Sequence, residues 1–420
     1  MKFTQGFIYV FNILAIFWAC AFSYGQVTME EFLHSATADY EVSTFNDQMD
    51  WLKRKNYALP PLRQVQLRFQ NRELLDTQNE FSLRISPANP WEMKATDRYY
   101  QNVRSSLGFE KELALREALF LRYLTVAEYK YRMELNALSI AGQESLNRQL
   151  AILQEQSGSR NFDADEYAEL QLEQLDYEAS QREYEYEISN QISSMMRLYP
   201  QASGRSIHWA PEEMISVERI RQVVDSLTAV SARSTLVAFS QQQINIARSQ
   251  YALERSNINI GFGQIEYDFR RYHQDRTPIN FGFGVTLPIA NPNKPDMARR
   301  KLQLIEAEYD LKEAEVETGV DLVIYQEKLT RLIGSYDVLR KRIEELETSD
   351  FAQTLSSING GDPFLYVQFN ERVSRLGKVL IQLRNDIVVT YIEYLTFSDR
   401  IQQQPLVNYL SPNLRPLSAE

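Results

Sequence analysis

The chain has 420 residues, more than one ordinary hydrophobic core contains, so several structural parts are expected. Its 45 basic and 56 acidic residues give a net charge of −11. This acidic balance argues against broad nucleic-acid binding, which requires Lys and Arg to neutralise phosphates. The single cysteine, Cys20, excludes a disulfide within the chain.

Residues 1–25 have the composition of a secretory signal peptide. Lys2 gives a positive start, an apolar run follows, and Ser23 and Gly25 are the small residues that a signal peptidase recognises. A membrane anchor is the first alternative, but the apolar run is short for one. Lipidation at Cys20 is the second, although the residues before it fit a lipidation signal poorly. No later segment reaches the ~20 apolar residues of a membrane helix, so only strands remain for any membrane crossing.

The first part of the mature chain is predicted to be a helix followed by a strand hairpin. The helix covers residues 29–52 and ends before two prolines. Residues 63–87 then alternate between apolar and polar side chains, which is the period of a β-strand. Arg68 and Arg84 lie on the polar side of this alternation. They suit a water-filled lumen better than the core of a soluble protein.

A pair of helices is predicted over residues 91–199, and it completes a first repeat that spans 26–200. A Ser-Gly-Ser segment around Gly158 breaks the helical pattern. The second helix is predicted to begin near Asp163, whose carboxylate suits a helix N-terminus. A linker over 201–211, bearing Ser, Gly and Pro, follows.

The most regular strand pattern lies in residues 257–289. In its second half every other residue from Ile279 to Ile289 is apolar. The first half begins in the same way but changes parity, which predicts a bulge or bend near Gly263. An apolar face toward lipid and a polar face toward a lumen are typical of membrane-barrel strands. A hairpin packed on a soluble core is the alternative interpretation.

The second repeat, residues 212–402, is predicted to have the element order of the first. A helix over 212–255 precedes the strand hairpin, and a helical hairpin over 297–397 follows it. Residues 403–420 form a C-terminal tail. The order helix, strand, strand, helix, helix therefore occurs twice, which indicates a duplication. The predicted fold class is mostly α with a small β part.

Two coiled-coil seams are predicted in this second helical hairpin. Apolar residues step by three and four from Leu322 to Leu346, and again from Phe369 to Ile387. A turn composition at 349–363 separates the two seams, so they are expected to pack antiparallel. A helix over 297–347 would be ~75 Å long, which is more than a globular core requires.

Four strands cannot close a barrel, and open strand edges are not tolerated in lipid. Because the smallest membrane barrels have about eight strands, several copies of the chain would have to contribute strands to one barrel. This reasoning requires an oligomer without setting its number.

Four segments together resemble the outer-membrane factor family, the TolC-like efflux channels of Gram-negative bacteria. Residues Ala238 to Tyr267 resemble the helix that leads into the third strand of the family, and Gly282 to Glu315 resemble the fourth strand and the helix after it. Asn161 to Met196 resemble the helix after its first periplasmic tip, and Gly360 to Val373 resemble its second tip. The resemblance covers nearly the whole mature chain. It departs in the short first helix and in Ser256-Asn257, where the family usually has a proline.

The resemblance implies a homotrimer in the cell outer membrane that extends into the periplasm. Long antiparallel coiled-coil helices would form a periplasmic α-barrel, and each chain would contribute four strands to a trimeric transmembrane β-barrel. Such a channel conducts substrates passively in a tripartite efflux or type I secretion system, with a periplasmic adaptor and an inner-membrane pump as partners. The alternative is a periplasmic coiled-coil scaffold or adaptor without channel activity.

The functional residues expected from pattern and resemblance fall into three sets. The periplasmic tips, where the adaptor would bind, comprise Gly158, Asn161, Phe162, Asp163, Asn359, Gly360, Gly361, Asp362 and Pro363. The barrel lumen comprises Arg68, Arg84, Asn257, Asn259, Asn280 and Thr286. The side facing outer-membrane lipid comprises Val65, Leu67, Phe69, Leu83, Ile85, Ile258, Ile260, Phe281, Phe283 and Val285.

Two of these sets have a simpler interpretation. The tips could be two ordinary helix turns, and the lumen set could be the exterior of a soluble sheet. Asp163, Asp165, Glu166 and Asp362 lie near the tips, where channels of this family carry acidic rings, but acidic residues are also common at any solvated helix start.

No enzyme, cofactor or metal is predicted. Two Gly-Phe-Gly triplets, at 261–263 and 282–284, lack the third glycine of a phosphate loop and lie inside alternating strands. His34, His208 and His273 lack the spacing of metal ligands.

Overall fold

The protein is described from a computed structural model. It covers residues 26–54, 57–71, 78–155, 157–158, 162–207, 209, 214–228, 234–257, 261–270, 279–285, 293–348 and 363–417. The signal peptide and Cys20 therefore lie outside the described residues. So do two of the three histidines, His208 and His273.

Eight α-helices and four β-strands are present in the described part of the chain. The helices are α1 Met29–His34, α2 Tyr40–Arg54, α3 Pro90–Glu155, α4 Ala164–Leu198, α5 Val217–Thr228, α6 Thr235–Ser256, α7 Lys294–Glu347 and α8 Pro363–Phe397. The strands are β1 Leu62–Asn71, β2 Gln78–Pro87, β3 Gly261–Arg270 and β4 Ile279–Val285. Short 3₁₀ turns occur at Ser35–Ala38 and Pro200–Ala202.

The bounds of the long helices agree closely with those predicted from the sequence. Sustained three–four periodicity is a strong signal for a helix, which accounts for the agreement. Helix α3 has 66 residues and α7 has 54. Helix α4 begins where Asp163 was predicted to cap it. The Asp163 carboxylate accepts hydrogen bonds from the amides of Asp165 and Glu166 at 3.1 Å. These bonds satisfy donors that a helix start leaves free.

Two predicted helices are wrong as single elements. The predicted helix over 212–255 is divided into α5 and α6. Ser234 marks the start of α6, because its hydroxyl accepts a hydrogen bond from the Val237 amide at 3.3 Å. The predicted helix over 29–52 is likewise divided, because a 3₁₀ turn separates α1 from α2.

The chain forms two compact units, and neither coincides with a predicted repeat. Unit 1 comprises Met1–Tyr40, Ala114–Ala232 and Val320–Glu420, and unit 2 comprises Glu41–Leu113 and Arg233–Gly319. The predicted order of helix, strand, strand, helix, helix occurs twice along the chain. Each repeat supplies segments to both units, so the repeat boundaries at 200 and 212 stay a sequence prediction.

Unit 2 contains a four-stranded antiparallel sheet in the order β1-β2-β3-β4. Strand β2 pairs with β3, although about 170 residues separate them in the sequence. Strands β1 and β4 are the edges of the sheet, so each exposes one row of backbone donors and acceptors to further pairing.

The pairing of β3 with β4 shows no bulge at Gly263, so the bulge prediction is wrong there. Gly263 pairs with Ile85 of β2, where that ladder ends, and with Phe283 of β4, in a register that runs from Gly261 to Tyr267 without a shift. Phe262 pairs with Gly284 and lies on the opposite face from Ile265, whereas residues 258–260 lie outside the described residues. The one register shift in the described sheet lies between Leu62 and Gln64.

In unit 1 the N-terminal segment, the 199–217 region and the C-terminal tail pack together. Trp209 is buried against Phe32, with ring centroids 5.8 Å apart, and its indole donates to the Val27 carbonyl oxygen at 2.8 Å. The described part of the tail extends to residue 417, and Leu410 is fully buried. The Ile215 amide donates to the Leu410 carbonyl oxygen at 2.7 Å. None of the described helices is long and apolar enough to cross a membrane.

Candidate functional site

The register of the sheet places most of the predicted lipid-facing residues on one face. Val65 pairs with Ile85, Leu67 with Leu83, and Phe283 with Gly263, so their side chains point to the same side. The same face includes Phe69, Phe81, Ile265, Phe281 and Val285. In the single chain this apolar face is open, and Leu67 and Phe283 are 85% and 86% exposed.

The opposite face is polar, as predicted. Arg68 pairs with Ser82, and Arg84 pairs with Gln66 and Gln264. Asn280 pairs in the register with Glu266, the position next to Ile265. A sheet with one wide apolar face and one charged face separates lipid from water when it closes on itself.

Asn257 does not lie in a strand, so the strand prediction is wrong at this residue. It caps the C-terminus of α6, where Arg63 donates to its side-chain oxygen at 3.0 Å and Asn293 donates to its carbonyl oxygen at 2.9 Å. Four other predicted barrel residues lie outside the described residues: Ile258, Ile260, Asn259 and Thr286.

The first Gly-Phe-Gly triplet has a steric role. At Gly261 a Cβ atom would collide with the carbonyl oxygen of Gly284 in the neighbouring strand. Glycine at this position lets β3 and β4 approach closely where the sheet begins. The triplet thus belongs to the pairing of β3 with β4.

Helix α7, which follows β4, carries two apolar stripes in unit 2. Leu304 and Ala314 are buried, and Leu304 forms a small core with Ile244 and Ala247 of α6. A second stripe of Leu302, Ile305, Tyr309 and Val316 is exposed in the single chain. This spacing of three, four and seven is that of a helix–helix seam. Helix α7 therefore has two apolar faces, of which one packs on α6 and the other is exposed in the single chain.

The predicted seam on the second half of α7 is packed in unit 1. Leu329 and Ile343 are buried, and Tyr325 stacks on Phe397 of α8 with centroids 4.8 Å apart. Lys328 lies 3.6 Å from Glu393. As the residue number increases along α7, the number of the contacted residue on α8 decreases. The two helices are therefore antiparallel, which confirms the prediction. The side chain of Phe369, the first residue of the predicted α8 seam, lies outside the described part of the protein.

The first predicted tip is described in part. Leu146 and Leu153 of α3 pack on Leu170 of α4, so the two helices form a hairpin. Phe162 contacts Tyr167, with ring centroids 5.9 Å apart. Gly158 is exposed, and a Cβ atom added there would meet no atom within 4 Å. Pro363 is the first residue of α8. The remaining tip residues, Asn161, Asn359, Gly360, Gly361 and Asp362, lie outside the described residues.

The sequence did not indicate a buried arginine that joins three segments of unit 1. Arg122 of α3 is 1% exposed. Its guanidinium donates to the Asp39 carboxylate at 2.9 Å, to the Ser35 hydroxyl at 3.0 Å and to the Leu198 carbonyl oxygen at 2.7 Å. Burial lowers the pKa of Arg122, and hydrogen bonding to Asp39 opposes that shift.

Hydrogen bonds in the same unit join the described N-terminal and C-terminal segments to each other and to neighbouring elements. The Tyr123 hydroxyl donates to the Val407 carbonyl oxygen at 2.7 Å, and burial raises the pKa of Tyr123. The Asn408 side chain donates to Glu30 at 3.1 Å. Arg205 pairs with Glu31, and this hydrogen bond lowers the pKa of the Glu31 carboxyl. Within the part of the chain that the structure describes, no group of three or more His, Cys, Asp or Glu is placed to hold a metal ion.

The fold is shared by outer-membrane channel proteins of known structure. The chain is similar to the outer membrane protein VceC of Vibrio cholerae, with a TM-score of 0.65 and 10% identity over 90% of this chain and 97% of that one. It is similar to the outer membrane channel MtrE of Neisseria gonorrhoeae in its open state, with a TM-score of 0.65 and 10% identity over 90% and 91%. For the outer membrane channel CmeC of Campylobacter jejuni the TM-score is 0.64, with 10% identity over 89% and 86%.

A scan against models of protein families finds no match, and a search of curated proteins finds none either. Identity near 10% shows the fold alone. At that level the resemblance to TolC-like channels and the fold class predicted from the sequence are confirmed.

Proposed function

We propose that this chain is one subunit of a homotrimeric channel in the outer membrane. Three sheets would close into one barrel, and the long helices would continue the passage into the periplasm. The channel would conduct substrates passively, as part of a tripartite efflux or type I secretion system with a periplasmic adaptor and an inner-membrane pump. The shared fold with proteins described as outer-membrane channels supports this proposal.

The observation that carries the proposal is the sheet itself. Its apolar face is exposed, its opposite face is charged, and both of its edge strands lack a second neighbour in the described chain. Neither feature suits an isolated subunit in water or in lipid. Pairing of β4 with β1 of a second copy removes the open edges, and lipid covers the apolar face.

The exposed stripe on α7 supports the same arrangement of copies. Helix α7 continues the chain from the edge strand β4. When β4 pairs with a second copy, α7 comes beside that copy as well. The stripe of Leu302, Ile305, Tyr309 and Val316 is then covered by a helix of the second copy.

The first prediction concerns location and assembly. The full-length protein produced in a Gram-negative host is expected in the outer-membrane fraction, with the mass of three chains by native mass spectrometry in detergent. Leu302→Glu combined with Tyr309→Glu is expected to lower trimer yield about tenfold, because it places charges in the copy-to-copy seam. Matched changes at Arg331→Glu and Lys341→Glu, at exposed sites off the predicted seam, should leave the trimer intact. A soluble periplasmic monomer would instead favour the scaffold alternative.

We also propose that the two helix turns, at Gly158–Asp163 and Asn359–Pro363, are the periplasmic tips that bind the adaptor and open. Gly361→Val is expected to leave trimer yield unchanged and to reduce dye export severalfold, because valine disfavours turn conformations open to glycine. Gly334→Val is the control, since Gly334 lies within α7 and an added Cβ there meets no atom within 4 Å. Export at the wild-type rate by Gly361→Val would assign opening to another part of the protein.

A further inference from the structure

A cavity lined by cationic side chains lies in unit 2 where the sheet meets the helices. It has a volume of about 630 Å³ and is bordered by α3 and α6. Lys94 and Arg98 line it from α3, and Arg248 and Arg255 line it from α6. Among the described lining residues none is acidic.

The four cations are largely available to a ligand. All four side chains belong to exposed residues. Arg248 lies 3.4 Å from Glu308 of α7. For Lys94, Arg98 and Arg255 no carboxylate lies within ion-pair distance among the residues that the structure describes. Three uncompensated positive charges around one cavity favour an anion.

The depth of the cations matches a lipid headgroup layer. Strand β2 ends at Pro87, and α3 begins at Pro90. At ~1.5 Å per residue, Lys94 and Arg98 lie roughly 6 and 12 Å along the helix from its start. The headgroup region of one leaflet extends about 5–8 Å beyond the hydrocarbon core. If the sheet crosses the membrane, Lys94 lies at the level of the phosphate groups, and Arg98 lies about one helical turn further from the bilayer centre.

The cavity adjoins the end of the sheet. Strand β2 ends at Pro87, and the Ala88 amide donates to the Pro61 carbonyl oxygen at 2.9 Å. Asn89, which lines the cavity, donates from its side chain to the Ser256 carbonyl oxygen at 2.8 Å, so this contact joins the start of α3 to the end of α6. Trp91, beside it, is 70% exposed, and tryptophan is enriched at membrane–water interfaces.

We propose that this cavity binds the phosphate headgroup of an anionic phospholipid in the periplasmic leaflet of the outer membrane. Lys94, Arg98 and Arg255 would contact the phosphate, and Trp91 would lie at the boundary with the acyl chains. The assignment rests on the proposed membrane location, because only an inserted sheet brings a leaflet to this depth. Bound lipid would hold the barrel at a defined height relative to the membrane.

The test is a titration of the purified full-length trimer with short-chain phosphatidylglycerol and phosphatidylcholine, followed by native mass spectrometry. The wild type is expected to bind phosphatidylglycerol more tightly. Each cation near a headgroup contributes about fivefold in affinity, so Lys94→Gln/Arg98→Gln/Arg255→Gln should lose on the order of a hundredfold of that preference. The matched control Arg331→Gln/Lys341→Gln/Arg342→Gln, with the same change of charge at exposed positions in unit 1, should keep it. If the triple variant assembles poorly, Arg98→Gln alone is measured instead, and it should lose about fivefold of the preference for phosphatidylglycerol.

Two results would overturn the lipid assignment. One is equal affinity of the wild type for the two lipids. The other is displacement of phosphatidylglycerol by inorganic phosphate at equal concentration, which would identify a site for soluble anions. Membrane fractionation of the same preparation separates the two hypotheses: a protein that is absent from the outer membrane contradicts the proposed function, whereas an inserted trimer without lipid preference contradicts this inference alone.

Discussion

Phe281→Arg is expected to prevent most of the protein from inserting into the outer membrane. Phe281 is 79% exposed on the apolar face of the sheet, in the edge strand β4. An arginine on the lipid side of a barrel costs about 2–4 kcal/mol near the bilayer midplane. A cost of that size corresponds to roughly thirtyfold to a thousandfold in the insertion equilibrium. The measurement is the amount of trimer in purified outer membranes.

Asn280→Arg is the matched control, because it introduces the same charge one residue away. Successive residues of a strand point to opposite faces, and Asn280 pairs in the register with Glu266. This variant should insert normally and change the single-channel conductance, since its arginine would enter the lumen. Equal loss of insertion in both variants would show that the two faces of β4 have been assigned wrongly.

Arg122→Ala is expected to destabilise unit 1 by about 3 kcal/mol, the second large effect. The change removes a buried cation that binds Asp39, Ser35 and the Leu198 carbonyl oxygen. Removing one member of a buried ion pair leaves the other groups without their partner in a poorly solvated place. Heat unfolding of the detergent-purified protein, followed by circular dichroism, should show a clearly lower midpoint.

Two variants show whether the hydrogen bonds or the charge at this site matter. Arg122→Lys retains the charge but cannot reach all the acceptors with one ammonium group, so an intermediate midpoint is expected. Arg331→Ala changes an exposed arginine and should stay within about 0.5 kcal/mol of the wild type. If Arg122→Ala unfolded at the same temperature as Arg331→Ala, the buried network would have no role in stability.

The site residues differ in how far the sequence predicted them. The faces of the sheet were predictable, because alternation at Val65 to Phe69 and at Ile279 to Val285 is a local pattern with a period of two. The cationic cavity was not, because Lys94 and Arg255 are 161 positions apart and come together only through packing of α3 on α6. No short-range pattern in either helix signals the other.

Local patterns by themselves determined the long helices, the faces of the strands and the start of α4 after Asp163. Those features depend on residues within a few turns of one another, so a sequence pattern contains them. The antiparallel α7–α8 pair was predictable because a segment of turn composition joins two regular seams. The tertiary structure alone decided that β2 pairs with β3, that Arg122 joins Asp39 to Leu198, and that the C-terminal tail is buried against the N-terminal segment. These contacts join residues that are far apart in the chain, and their free energy comes from burial and hydrogen bonding that exist only after the chain has folded.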